Sequence, residues 1–428
     1  MRTFLRRNKE EIIVSFIFLF FAFGFNVYRV QGDGVQYYAF LEYMLRPLLG
    51  AGCHPEGLSN PGFQQAGCAF LNAPFYYVAY LIESIFQRSW NFNGITLRTI
   101  AVNIASNFYV CTALIIAVKI LKLLRFKHIV LPIISIVFST AVFTASAITP
   151  SWNHASDIFI TTLLLFLFLR CVKTDEKPYL LLGLFSVVAI LVRYVNCVLI
   201  LPIAIYFIMI KDYKGLKKFL IGLLVSGWII PCCFLIYNGS PLSPFSGDSV
   251  ERIASAMPMF PVFVLKYLIH PLHGLFIWSP ATILSLTGLL IVSQEQRKLS
   301  LVFLGMFFLF LFFYGYMHFW YAGWSFSNRY LVNLFPVFVI GLASCLDRFQ
   351  KSALLLTLIF TAYSIFLFFN WYLCIFHPEF ENPGAMIYAW GAGLPTNDAC
   401  LLEKVTPGTF FQRIWEVCRY KYLFKLFT

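Results

Sequence analysis

Apolar stretches recur from one end of this chain to the other, and many are long enough to cross a hydrocarbon core of about 30 Å. Of its 428 residues, 60% are hydrophobic and only 12% are charged, and the mean hydropathy is +0.77. A soluble domain could not hide that much apolar surface. The expected fold class is therefore all-α, a polytopic membrane protein. The 49 Phe and 23 Tyr suit lipid contact and interfacial belts.

The net charge of +13 invites a nucleic-acid reading. The placement of the Lys and Arg argues against one. They are scattered through short loops between spans, which is the pattern of topology signals rather than of a phosphate-binding face. No cleavable signal peptide is evident, because the apolar run after the basic Met1 to Glu11 is long and lacks a small-residue cleavage site. The eleven Cys include no zinc-like pair. Cys232-Cys233 reads as core filler. Cys53 with Cys68, and Cys400 with Cys418, share segments expected outside, where either pair could be a disulfide or two free thiols.

Read in order, the chain gives about eleven spans. Span 1 (about 12–30) leaves the basic N-terminus in the cytoplasm. A loop over about 31–95 follows, too apolar to be free in water. It holds two helical stretches, Val35 to Leu45 and Ala69 to Phe86, expected on or in the outer interface. Spans 2 to 11 fall at about 96–122, 129–148, 156–171, 178–192, 197–210, 218–237, 275–292, 300–316, 329–345 and 352–374. The basic turns then lie on the N-terminal side only if Ala69 to Phe86 does not cross. A transmembrane module over 1–375 and an outer tail over 376–428 result. The tail ends basic, at Arg413, Arg419, Lys421 and Lys425, and could meet anionic headgroups.

The outer turns carry unusual polar residues at or just inside the apolar boundary, where an ionisable group is functional by default. They include Asp33, in Gly32-Asp33-Gly34 just past span 1, with His154, Asp157, Arg193, Lys266, His270 and Arg329. Carboxylates and cations gathered at one interface suit chemistry on a lipid-linked anion. A carboxylate takes a proton and cations hold a phosphate. Each residue also has a plainer role. Asp33 could cap the helix after it, Asp157 could cap span 4, Arg193 could snorkel, and Arg329 could anchor span 10. No set has clear metal-ligand spacing. His270 and His273 could share a helix face, but two His do not make a zinc site.

These segments, in this order, resemble the GT-C superfamily of polyprenol-phosphate-sugar-dependent glycosyltransferases. The likeness is to bacterial protein-mannosyltransferase and aminoarabinose-transferase types. The motifs are Gly32-Asp33-Gly34 with Tyr37-Tyr38, then Asn72-Ala73-Pro74-Phe75-Tyr76-Tyr77 and Leu97-Arg98. They continue as His273-Gly274-Leu275-Phe276-Ile277-Trp278-Ser279-Pro280, and as the turn from Trp320 to Leu331 that ends Asn328-Arg329-Tyr330-Leu331. The likeness covers roughly 12–345. Ser327-Asn328 stands where Gly-Pro is usual, one carboxylate stands where relatives show a pair, and the soluble outer domain of many members is missing.

The resemblance implies an enzyme of the inner membrane, with its N-terminus cytoplasmic and its site on the periplasmic face. Asp33 would take the acceptor's proton. Attack at the anomeric carbon would displace polyprenyl phosphate with inversion. Arg193, Arg329, Lys266 and His270 would hold the donor phosphate. Asp157 with His154 would be the second acidic position, and Tyr37 and Tyr38 would line the substrate. The partners implied are a polyprenyl-phosphate-linked sugar, an envelope lipid, glycan or protein acceptor, and membrane lipids, but no nucleic acid. No cofactor is called for, and a divalent metal stays open. Two other readings compete. One is a transporter or flippase of lipid-linked sugars. It would need midplane polar residues and related halves, and neither is evident. The other is a glycan polymerase or ligase, which the long Asn238 to Gly274 loop would suit.

Overall fold

The computed structural model describes residues 8–28, 30, 33–49, 65–92, 95–238, 260–270, 273–291, 296–315 and 325–372. The tail from 376 lies outside them. So do Cys53, Cys400 and Cys418, and both Trp320 and Trp324. The described chain is helical almost throughout, as lipid demands. A helix pairs its backbone groups within the segment, where no water can do so.

Five helical stretches among the described residues are long and apolar enough to cross a membrane: Leu97–Leu123, Asn153–Lys173, Tyr213–Ile236, Arg297–Tyr314 and Arg329–Tyr372. Shorter apolar helices pack with them at Val130–Ser139, Tyr179–Val192, Tyr194–Met209 and Ala281–Leu290. The first helix, α1 (Lys9–Phe25), runs antiparallel to α4 (Leu97–Leu123). Glu10 and Glu11 of α1 hold Lys122 of α4 at one end of the pair, at 3.0 and 2.9 Å. Between them come α2 (Asp33–Leu49) and α3 (Ala66–Ile85), the two helices expected in the first loop. Neither is among the five long apolar stretches. A hairpin of two-residue strands, β1 (Asn91–Phe92) and β2 (Ile95–Thr96), then leads into α4.

Several expected spans prove to be interrupted, each for a local reason. The stretch 129–148 is two helices, α5 (Val130–Ser139) and α6 (Val142–Ala147). The Thr140 hydroxyl donates back to the Ile136 carbonyl at 2.7 Å, and Thr140 itself is extended. That local bond competes with continuation of the helix. The stretch 275–292 breaks between α13 (Leu275–Trp278) and α14 (Ala281–Leu290), where Pro280 brings no N–H. After α7 (Asn153–Lys173) and α8 (Tyr179–Val192), span 6 opens with a 3-10 turn, Tyr194–Leu199, before α9 (Ile200–Met209). The next stretch divides into α10 (Tyr213–Gly227) and α11 (Ile229–Asn238). Beyond it lie α12 (Phe260–Ile269) and, after α13 and α14, α15 (Arg297–Tyr314).

Another 3-10 turn, Arg329–Leu334, precedes the last described helix, α16 (Phe335–Tyr372). This helix cannot be one straight rod. It breaks at Gln350, where φ is 40° and ψ is −105°. Ser344 donates to the Gly288 carbonyl and Ser364 to the Trp278 carbonyl, at 3.0 and 2.9 Å. On a straight helix those two serines would be about 30 Å apart, whereas their partners, ten residues apart across a broken helical stretch, are separated by at most about 20 Å. The chain reverses at Gln350, between the expected spans 329–345 and 352–374, and Phe368 comes back to within 5.6 Å of Phe326, ring centre to ring centre.

A pair of glycines sets the spacing at one helix crossing. A Cβ on Gly288 would land on the Gly341 carbonyl oxygen, and one on Gly341 would land on the Ser285 carbonyl oxygen. At this crossing α14 and α16 touch backbone to backbone. Gly288→Val is therefore expected to abolish the well-folded protein, read as lost monodisperse yield in detergent. Gly305→Ala, where nothing lies within 4 Å, should be tolerated. An equal loss in both variants would mean that the crossing is not what holds these helices.

Candidate functional site

Four elements meet beyond the C-terminal end of α1: the first turn of α2, the first turn of α7, and the two 3-10 turns. Asp33 is the first residue of α2, where the helix dipole favours a carboxylate. Gly34 lets α2 sit directly on the 151–152 turn. A Cβ there would meet the Ser151 hydroxyl and lie 2.8 Å from Trp152 Cδ1. Asp33 Oδ2 then reaches Arg329 Nη2 at 3.2 Å. The Arg329 guanidinium lies 4.4 Å from the Trp152 ring centre.

The two partners differ in access. The Asp33 side chain is 57% exposed and that of Arg329 is 12% exposed. Arg329 is aimed by its own turn. Ser327 sits at φ 55°, a conformation that glycine takes freely. Its hydroxyl pairs with that of Ser279 at 2.8 Å, and Asn328 Oδ1 accepts from Tyr330 N at 3.2 Å. The glycine expected here is thus replaced by a serine whose hydroxyl is tied to the break between α13 and α14.

Below this pair lies a buried polar lattice. Asp157, wholly buried in α7, accepts from Arg193 Nη1 at 3.0 Å and from Asn196 Nδ2 at 2.6 Å. Asn196 Oδ1 accepts from Asn333 Nδ2 at 3.0 Å. Arg193 Nη1 also donates to the Tyr330 carbonyl at 3.3 Å, and its guanidinium lies over the rings of Tyr314 and Tyr330 at 5.7 and 5.6 Å. Both Asp157 oxygens are engaged. Asp157 and Arg193, expected to touch substrate, are here spent on each other and on the two 3-10 turns. What they fix is the backbone next to Arg329.

A third set ties α2 to α7. The Tyr37 hydroxyl and the Asn153 amide both donate to Gln65 Oε1, at 2.9 and 2.8 Å. Burial raises the Tyr37 phenol well above the usual tyrosine range. Its hydroxyl is a strut rather than an open contact. The Tyr38 ring packs on Tyr76, 5.9 Å between centres, and Tyr76 donates to the buried Glu42 at 3.0 Å. Arg98 joins this side, at 2.6 Å from Glu83 and 3.3 Å from the Tyr76 hydroxyl. Cys68 is a free thiol near Ser156, pushed up to about 12 by burial.

Lys266 and His270 lie on and just after α12. Lys266 Nζ is 5.8 Å from the Phe263 ring centre. Burial, then the Lys266 charge, lowers the His270 imidazole below its ordinary value. Neither residue lines the cavity beside Arg329. That small cavity lies between Thr144, Thr149, His154, Ser325, Arg329 and Trp371. Among the described residues, no group of three or more His, Cys, Asp or Glu is arranged to hold a metal ion.

The sequence reading did not single out Gln65, Trp152 or Asn333. An amide or an indole in an apolar chain carries no pattern of its own. Trp152→Ala removes the face beneath Arg329, an interaction worth about 0.5–2 kcal/mol. A fall of about two- to thirtyfold in any Arg329-dependent binding is expected from titration of the purified variant. No protein-family model matches this chain, and neither does any curated protein.

Proposed function

We propose that this chain is a membrane glycosyltransferase that moves a sugar from a polyprenyl-phosphate donor to an envelope lipid, glycan or protein. The observation that carries this reading is the Asp33–Arg329 pair. It sets an accessible carboxylate against a largely buried arginine that has donors to spare. In this reading Asp33 is the base that takes the acceptor's proton, and Arg329 holds the donor phosphate. Arginine suits that task through its fixed charge and forked donors. The GT-C-like order of motifs in the sequence supports the same assignment. The site would face the outer side of a bacterial inner membrane, with Asp157, Arg193, Asn196 and Asn333 keeping Arg329 in place.

Purified protein in detergent, given a polyprenyl-phosphate sugar and an envelope-lipid extract, should transfer label to the extract. Turnover without a second compartment separates transfer from transport. The mass of envelope lipid or glycan on deleting the gene should fall by one sugar residue. Neither change appearing would end the proposal.

A further inference from the structure

Arg329 is only partly satisfied by Asp33. Nη2 meets the carboxylate, whereas Nε and Nη1 are buried with no hydrogen-bond partner. Leaving such donors unpaired costs the desolvation of each, more for a charged group than for a neutral one. They border the cavity described above, where His154 is buried and its Nδ1 also lacks a partner. A guanidinium with two spare donor nitrogens, beside an unpaired imidazole nitrogen, makes a receptor for an oxyanion. This receptor carries its own competitor, because Asp33 holds the same guanidinium.

We infer that Asp33 and a phosphate oxyanion compete for Arg329, so that protonating Asp33 hands the guanidinium to the phosphate. The consequence for transfer rests on the glycosyltransferase reading. The competition rests only on these residues. In transfer, the acceptor O–H bond breaks and its proton goes to Asp33. The oxygen's electron pair forms the bond to the anomeric carbon. The bond from that carbon to the phosphate oxygen breaks, and its pair stays on the phosphate. The phosphodiester monoanion becomes a monoester dianion as Asp33 becomes neutral. The charge around Arg329 is therefore unchanged, and negative charge moves from carboxylate to phosphate.

Proton transfer and stabilisation of the leaving group then become one event. The neutral acid releases Nη2 when the phosphate most needs it. The other titratable groups facing Arg329 are His154 on α7, Tyr37 on α2 and Tyr330 on its own turn, with the Asp157–Arg193 pair behind them. None of these is ion-paired to Arg329 as Asp33 is.

The test is binding rather than turnover. The full chain in detergent is titrated calorimetrically with inorganic phosphate, with a short isoprenyl monophosphate and with the methyl diester of that compound. Asp33→Asn and Asp33→Ala should each bind the isoprenyl phosphates at least about tenfold more tightly than the natural protein at neutral pH. The diester does not titrate, so its binding reports on the protein alone. Its affinity should rise more on acidification for the natural protein than for either variant, in which His154 is the remaining titratable group of the receptor. Arg329→Gln should lose binding in every background.

Tightening for inorganic phosphate as well would assign recognition to the phosphate itself. Tightening for the isoprenyl compounds alone would assign it to a lipid phosphate. Equal affinity in the natural protein and both Asp33 variants overturns the inference, and so does weaker binding by the variants. That result would leave Asp33 free to act as a base. Conversely, loss of the glycosyltransferase reading would leave a measured competition standing.

Discussion

Asp33→Asn is expected to lower sugar transfer by about 10²–10⁴-fold, the range in which a positioned base contributes. The variant should still insert and fold. Its side chain is mostly exposed, and an ion pair of that kind is worth at most about 1 kcal/mol. Unfolding followed by light scattering in detergent should therefore shift by only a few degrees. The substitution also separates the chemical role from the plainer one. Asp33 opens α2, and a helix cap is served about as well by Asn as by Asp. If Asp33 only capped its helix, Asp33→Asn would transfer sugar normally, and the proposed mechanism would fail. Asp33→Ala gives the complementary reading, since it removes cap and base together. Equal inactivity of both variants, with unfolding moved only in the Ala variant, would assign catalysis to the charge and capping to the polar group.

Much of the fold could be read before the structure, because lipid makes polarity periodic along a chain. The stretch 96–122 proves to be Leu97–Leu123, and 178–192 proves to be Tyr179–Val192. The two helices of the first loop were legible for the same reason. What escaped was irregularity inside apolar runs. Thr140 and Ser279-Pro280 break helices through one side-chain bond and one missing N–H. Neither alters the hydropathy that defines a span. The site was legible as a set of residues and not as an arrangement. Asp33 and Arg329 lie nearly three hundred positions apart, and nothing in the sequence pairs them. They meet because Gly34 allows α2 onto Trp152 and because Ser327 bends the turn before Arg329. The sequence ranked Asp157 and Arg193 as substrate contacts for good reason, since ionisable groups in lipid are expensive. It could not show that each would be the other's partner.

That pairing makes Asp157 the second position of large effect. Asp157→Ala should destabilise the protein by about 3–5 kcal/mol, because it leaves the Arg193 guanidinium buried without its counter-charge. The loss should spread to activity. Arg193 would no longer fix the Tyr330 carbonyl, and Asn196 would lose one of its acceptors. The double variant Asp157→Leu with Arg193→Met distinguishes a holding role from a chemical one. Replacing a buried pair by apolar groups of similar volume is often neutral or stabilising. The double variant should therefore recover most of the unfolding temperature lost in Asp157→Ala. If the lattice serves only to hold Arg329, measurable sugar transfer should return with it. If Arg193 touches the donor phosphate, or Asp157 the acceptor, stability would return and transfer would not. Recovery of neither would mean that the Asn196–Asn333 link fails once Asp157 is gone. The 3-10 turn that carries Arg329 would then depend on the whole lattice rather than on the ion pair.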